Sequence, residues 1–144
     1  MKVLVIHGPN LNLLGTREPE IYGETTLEEI DAALQRAAGE DGTTLDIHQT
    51  AREGAIIELL HAGIGSVDGA IVNPAAYSHT SRAIADAIRS VPYPVVEVHI
   101  SNLHAREEWR HTSVTGEAAA GVISGFGADS YVLAVEALRR ILAR

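Results

Sequence analysis

The chain has 144 residues, 46% apolar and 21% charged, with a formal net charge of −8. That length suits a single domain spanning residues 1–144 with its own core, and the acidic balance argues against nucleic acid as a partner, although a few local arginines can still dominate one cleft for a small anion. Cysteine is absent, which excludes thiol chemistry and disulfides; no apolar run approaches the roughly 20 residues of a membrane span, and no signal-peptide pattern precedes the first strand, so no membrane association and a cytoplasmic location are expected.

Taken in chain order, Lys2 to Ile6 reads as a buried strand. Thr25 and Thr26 are each followed three residues later by a glutamate (Glu28, Glu29), the spacing of a capping box that opens a helix. Leu27, Ile30, Leu34 and Ala37 then recur at helical spacing, and Gly39 and Gly42 end the helix. Thr44 to Gln49 alternates apolar Leu45 and Ile47 with polar Asp46 and His48, a half-exposed strand. A helix from about Glu53 to Ala62 turns Ile56, Ile57, Leu59 and Leu60 inward. Gly69 to Val72 is short and apolar throughout, as a central parallel strand is, and it stops at Asn73-Pro74. The next helix, near Ser81 to Ser90, buries Ala83, Ile84, Ala87 and Ile88 and leaves Arg82, Asp86 and Arg89 on the other side. Pro94 to Ile100 and Gly121 to Ser124 supply the fourth and fifth strands, and an amphipathic helix from Tyr131 to Leu142 closes the chain.

Strand and helix alternate, so right-handed crossovers imply a parallel sheet covered on both faces. For five strands the common arrangement is the flavodoxin-like three-layer α/β sandwich with strand order 2-1-3-4-5, which binds ligands beyond the carboxyl ends of strands 1 and 3, where the order reverses. Three polar segments converge there: the loop 8–23 after strand 1, residues 73–79 after strand 3, and His99 to Asn102 after strand 4. The first is long for a compact domain, where connections run about 4–6 residues. It carries three glycines, two prolines, Asn10, Asn12, Arg17 and Tyr22, whereas a mere surface excursion is richer in Ser, Lys and Glu. It reads as a functional lid.

The chemistry those segments offer is acid–base work without a metal or cofactor. His99, His104 and His111 lack zinc-site spacing. Gly8-Pro9-Asn10 is not a G-x-G-x-x-G phosphate loop, and Pro9 removes a donor that a phosphate would want. A receiver-type domain needs an aspartate where Asn73 stands. Arg17 and Tyr22 share the lid, and a guanidinium beside a phenol favours its phenolate. Glu97 lies two residues before His99 on the same strand face, placed to orient the imidazole and keep it charged. Tyr77, Tyr93 and Tyr131 read as packing residues with a polar tip.

The stretches 8–15 (GPNLNLLG), 17–19 (REP), Tyr22-Gly23, 73–81 (NPAAYSHTS), 97–102 (EVHISN), Arg106-Glu107 and Arg110-His111 resemble the type II 3-dehydroquinate dehydratases, along essentially the whole chain. The resemblance implies reversible loss of water from 3-dehydroquinate, in the shikimate pathway or in quinate breakdown. By position it implies Tyr22 as base with Arg17 supporting its phenolate, Asn12 helping to hold the enolate through a water, and His99 as acid. It further implies that Asn73 and the amides of Ile100 and Ser101 take the substrate carboxylate, that His79 and Arg110 hold ring hydroxyls, and that Asp86 reaches a neighbouring subunit's site. No cofactor or metal and a homododecamer built from trimers complete the expectation. Three positions depart from the pattern: Ala51 where an Asn is usual, Trp109 where Phe is common, and Ser130 in place of Gly before Tyr131. On the residues alone, a flavodoxin-like hydrolase or lyase for another polyhydroxylated acid, or a non-catalytic binding module that keeps the cleft, are the competing readings.

Overall fold

The computed structural model describes residues 1–144. Five strands form one all-parallel sheet: β1 (Lys2–His7), β2 (Thr44–Gln49), β3 (Gly69–Asn73), β4 (Val95–His99) and β5 (Gly121–Ser124), in the order β2-β1-β3-β4-β5. The helices are the short α1 (Pro19–Tyr22), then α2 (Leu27–Gly39), α3 (Glu53–Ala62), α4 (Arg82–Ser90) and α5 (Asp129–Leu142). This is the α/β flavodoxin-like arrangement expected from the alternation of elements.

Because successive side chains on a strand point to opposite faces, the sheet builds two cores. Val3, Val5, Ile71, Val96 and Val98 pack under α2 and α5 against Ile30, Leu34, Tyr131 and Leu138. Leu4, Ile6, Ala70, Val72 and Val95 pack under α3 and α4 against Ile56, Leu60, Ile84 and Ile88. The inner strands β3 and β4 are buried along their whole length, whereas β2 and β5, with one neighbour each, are partly exposed.

Side-chain caps start two of the helices. Thr26 caps α2, its hydroxyl accepting from the Glu29 amide while the Glu29 carboxylate accepts from the Thr26 amide, and Ser81 caps α4 through the Ile84 amide. The inward faces differ from the sequence expectation at small residues. Ala38, not Ala37, closes the buried stripe of α2, because it lies one turn beyond Leu34. On α4, Ala85 is buried and Ala83 is exposed. At about 100° per residue the two alanines flank the Ile84–Ala87–Ile88 stripe nearly symmetrically, so only packing separates them. Ile57 and Leu59 of α3 pack at the margin of the core rather than within it. β1 runs one residue further than expected, carrying His7 into register with Asn73, and β4 is shorter, leaving Pro94 and Ile100 outside it.

At the carboxyl end of the sheet the backbones of β1 and β3 nearly touch. The Gly8 amide donates to the Asn73 carbonyl at 2.8 Å, and a Cβ on Gly8 would stand 2.7 Å from that oxygen. Only glycine fits there. The expected lid is ordered by a 3₁₀ turn (Leu11–Leu13) and by α1, and its backbone stores strain: Asn10 and Glu18 have φ of 69° and 39°.

Candidate active site

The carboxyl ends of β1, β3 and β4 open into a cleft of about 570 Å³. Its wall from the lid is Pro9, Asn10, Leu11, Leu14, Arg17 and Tyr22; β3 and the loop after it supply Asn73, Ala75, Ala76 and His79; His99 ends β4, and the segment beyond supplies Ile100, Ser101, Leu103, Arg106 and Arg110. Eight of the expected site residues are therefore brought together.

His99 is 4% exposed and its Nε2 lies 2.6 Å from Glu97 Oε1. Glu97 is wholly buried and also accepts from the hydroxyls of Ser113 and Thr115. A buried carboxylate demands such donors, since an unpaired charge there is very costly. With the carboxylate able only to accept, Nε2 carries a hydrogen and Nδ1 is the nitrogen left to the cleft. The i,i+2 spacing on one strand face made this pair legible in advance.

Tyr22 sits on α1 between two guanidinium groups. Arg17 Cζ lies 4.9 Å and Arg106 Cζ 5.1 Å from its ring centre. The phenol oxygen itself is held by Arg106 Nη1 at 2.7 Å, and the same nitrogen reaches Ser101 Oγ at 3.2 Å. Arg17 instead bonds Glu18 at 3.0 Å. The cation bonded to the phenol oxygen is thus Arg106, to which the sequence reading assigned no role, while Arg17 faces the ring. Its signal was present in the matched Arg106-Glu107 pair, but the contact spans 84 positions and no local pattern reports it.

Asn73 is held from two sides, its Oδ1 accepting from the Ala75 amide and its Nδ2 donating to Tyr131 Oη, both at 3.0 Å. Ala75 has φ of 52°, a conformation unusual for a residue with a Cβ, and this hydrogen bond pins it. The amides of Ile100 and Ser101 donate to no protein group, so two adjacent N–H groups are free at the cleft. His79 Nδ1 lies 2.8 Å from the Thr112 carbonyl, and its ring stacks 6.5 Å from His99 and meets Trp109 edge-on. Burial holds the His79 imidazole below its ordinary pKa, and the neighbouring His99 and Arg110 charges act in the same direction. Arg110 bonds Glu107 and lies 4.1 Å over the Trp109 ring.

Two expected residues are not among these. Asn12 is exposed and stands outside the cleft lining, its Oδ1 3.5 Å from Gln49 Nε2; Asn10, at the start of the Leu11–Leu13 turn, lines the cleft instead. Asp86 lies on the outer face of α4, with its side chain 83% exposed and paired with Arg89 at 3.6 Å, not with Arg82 one turn earlier. It touches nothing in its own chain's cleft.

The three departures each have a structural place. The Ala51 carbonyl accepts from Tyr77 Oη at 2.9 Å, so the edge of the site is tied through the backbone instead of an amide side chain. Trp109 covers both His79 and Arg110. Ser130 Oγ accepts from the Phe126 amide and is fully buried. No group of three or more His, Cys, Asp or Glu side chains is gathered to hold a metal ion, and no helix is long and apolar enough to cross a membrane.

A family model described as dehydroquinase class II matches residues 1–139. The chain is 53% identical over 144 residues to the 3-dehydroquinate dehydratase of Desulforudis audaxviator, covering all of this chain and 96% of that one. It is 52% identical over 134 residues to the catabolic 3-dehydroquinase of Aspergillus oryzae, covering 93% and 88% of the two chains. The crystal structure of the type II dehydroquinase from Butyrivibrio crossotus superposes with a TM-score of 0.94 at 42% identity, over 96% of this chain and 97% of the other.

Proposed function

The chain belongs to the class II dehydroquinase family and is a hydro-lyase of that family; from that premise we propose that it converts 3-dehydroquinate reversibly to 3-dehydroshikimate through an enolate, with Tyr22 as base and His99 as acid. The observation that carries the reading is the pairing within one cleft of a phenol bonded by a guanidinium, Tyr22–Arg106, and an imidazole bonded by a buried carboxylate, His99–Glu97.

Tyr22 Oη takes the proton from the carbon beside the ketone, and Arg106 and Arg17 balance the phenolate charge that this needs. The electron pair is held as an enolate. It then forms the carbon–carbon double bond as the hydroxyl on the next carbon leaves, and His99 Nδ1 supplies the proton that makes water. Glu97 balances the imidazolium charge. The substrate carboxylate sits on the carbon that loses its hydroxyl. The free amides of Ile100 and Ser101 together with the Asn73 amide offer it hydrogen-bond donors, which suits an anion. His79 and Arg110 hold the ring hydroxyls. Only the side chains of this protein move protons, and no metal or cofactor takes part.

The same reading has the protein act in the cytoplasm as a homododecamer of trimers, with Asp86 contributing to a neighbour's site; its exposure and its absence from its own cleft support this. The test is direct. Purified protein and 3-dehydroquinate should generate the ultraviolet absorbance of the conjugated enone, unchanged after chelator treatment and dialysis. Absence of that signal, or a loss in chelator restored by a divalent ion, would overturn the reading.

A further inference from the structure

Behind the cleft lies a buried polar chain that the proposed proton transfers do not use. β1 and β3 carry His7 and Asn73 in register at the switch point of the sheet. His7 is fully buried, with Nδ1 2.9 Å from Tyr131 Oη on α5 and Nε2 2.7 Å from Asp31 Oδ1 on α2. Tyr131 is also fully buried, and its oxygen receives Asn73 Nδ2. Four elements thus meet through four side chains.

The direction of every hydrogen in this chain follows from the donors and acceptors available. The Ala75 amide can only donate, so the atom facing it is Asn73 Oδ1, and Nδ2 faces Tyr131. Nδ2 can only donate, so the single Tyr131 hydroxyl hydrogen is left for His7 Nδ1. That nitrogen therefore accepts, and Nε2–H donates to the Asp31 carboxylate. The run Ala75 N–H, Asn73, Tyr131, His7, Asp31 is unidirectional. Burial holds the Tyr131 phenol above its ordinary pKa and so keeps it protonated, as the arrangement needs.

Turning the Asn73 amide over would set Nδ2 against the Ala75 N–H and Oδ1 against a phenol oxygen whose hydrogen is already given to His7. Both contacts would be lost in a buried place, at the cost of unsatisfied polar groups. We propose that His7, Tyr131 and Asp31 are positioning residues that lock the Asn73 side chain so that it presents an N–H donor, and not its carbonyl, to an anionic group of the substrate in the cleft. This rests on the functional reading above, in which that group is the carboxylate of 3-dehydroquinate. The carboxylate is charged in the ground state and in the transition state alike, so the lock governs binding more than turnover.

The experiment compares Tyr131→Phe, His7→Leu and His7→Asn by steady-state kinetics with 3-dehydroquinate. Asparagine keeps an acceptor near the position of Nδ1, and leucine keeps none. Tyr131→Phe and His7→Leu should raise KM about tenfold, the weight of one misaligned charge-assisted hydrogen bond, with kcat within about threefold. His7→Asn should recover most of the loss. A purely structural role would leave KM unchanged or lower the active fraction, hence kcat alone, and either result overturns the proposal. Solid-state nitrogen-15 spectra of histidine-labelled parent enzyme give a readout independent of activity, with the His7 signals assigned by their absence in His7→Asn. Hydrogen on Nε2 and none on Nδ1 is expected; hydrogen on Nδ1 overturns the lock even where the leucine or phenylalanine variant fails to fold. Should 3-dehydroquinate prove not to be a substrate, the functional reading fails and the tautomer still decides the lock.

Discussion

His99 and Tyr22 line one cleft, yet they are held in different ways. His99 ends a fully buried strand and rests on a carboxylate that two further hydroxyls also hold, so its position is fixed by the core. Tyr22 ends a four-residue helix with no buried residue, inside a loop with strained backbone at Asn10 and Glu18, and its oxygen has one protein partner. The proposed acid is built into the sheet, whereas the proposed base hangs on a lid. A core contact can be rigid because many buried neighbours over-determine it; a lid that admits substrate keeps few contacts, and charge replaces packing as what holds its functional group.

The sharpest way to break this comparison is to remove each group's function separately. Tyr22→Phe should lower kcat by about 10²–10⁴-fold, the worth of a positioned proton transfer, while the melting transition stays put because phenylalanine keeps the ring that packs against the core. Steady-state kinetics beside calorimetry check both halves, and turnover within a few-fold of the parent would remove Tyr22 from its role. Glu97→Ala should show the opposite balance. It strands three donors, two of them buried, so the protein should lose about 3–5 kcal/mol against denaturant at fixed protein concentration, in addition to activity. Stability near that of the parent would mean that the β4 wall is not fixed by this carboxylate.

On the lid side, Arg106→Leu should cost about 10–100-fold in kcat, the scale of one hydrogen bond from a charged group. Because Arg17 and Arg106 flank the same ring at 4.9 and 5.1 Å, the double variant should lose less than the product of the two single losses. Strict additivity would show that the two guanidiniums act on different things. The smallest effect concerns His79. Its pKa is lowered in the folded state, so the unfolded chain binds the proton first. Stability is therefore full above the ordinary histidine value of about 6.5 and declines as the pH falls through the folded value. His79→Asn should flatten that decline slightly in pH-dependent denaturation, and an unchanged slope would mean that the ring ionises as freely folded as unfolded.

Read as a string, the sequence determined the order and type of the five strands and of helices α2 to α5, the capping box at Thr26–Glu29, the buried character of β3 and β4, and the Glu97–His99 pair. Each of these follows from a fixed local period: 3.6 residues on a helix, two on a strand, three across a cap. It also placed the polar segments at the carboxyl ends of the strands, since the alternation of elements leaves few topologies. Tertiary structure alone decided which arginine bonds the phenol oxygen, that Asn10 and not Asn12 lines the cleft, that Ala85 and not Ala83 is covered, and that His7, Asp31 and Tyr131 converge on Asn73. These contacts join residues tens of positions apart or turn on a few degrees of helix rotation. No local period encodes either, because such pairs exist only once the sheet has set the distance between its strands and the helices have settled on it.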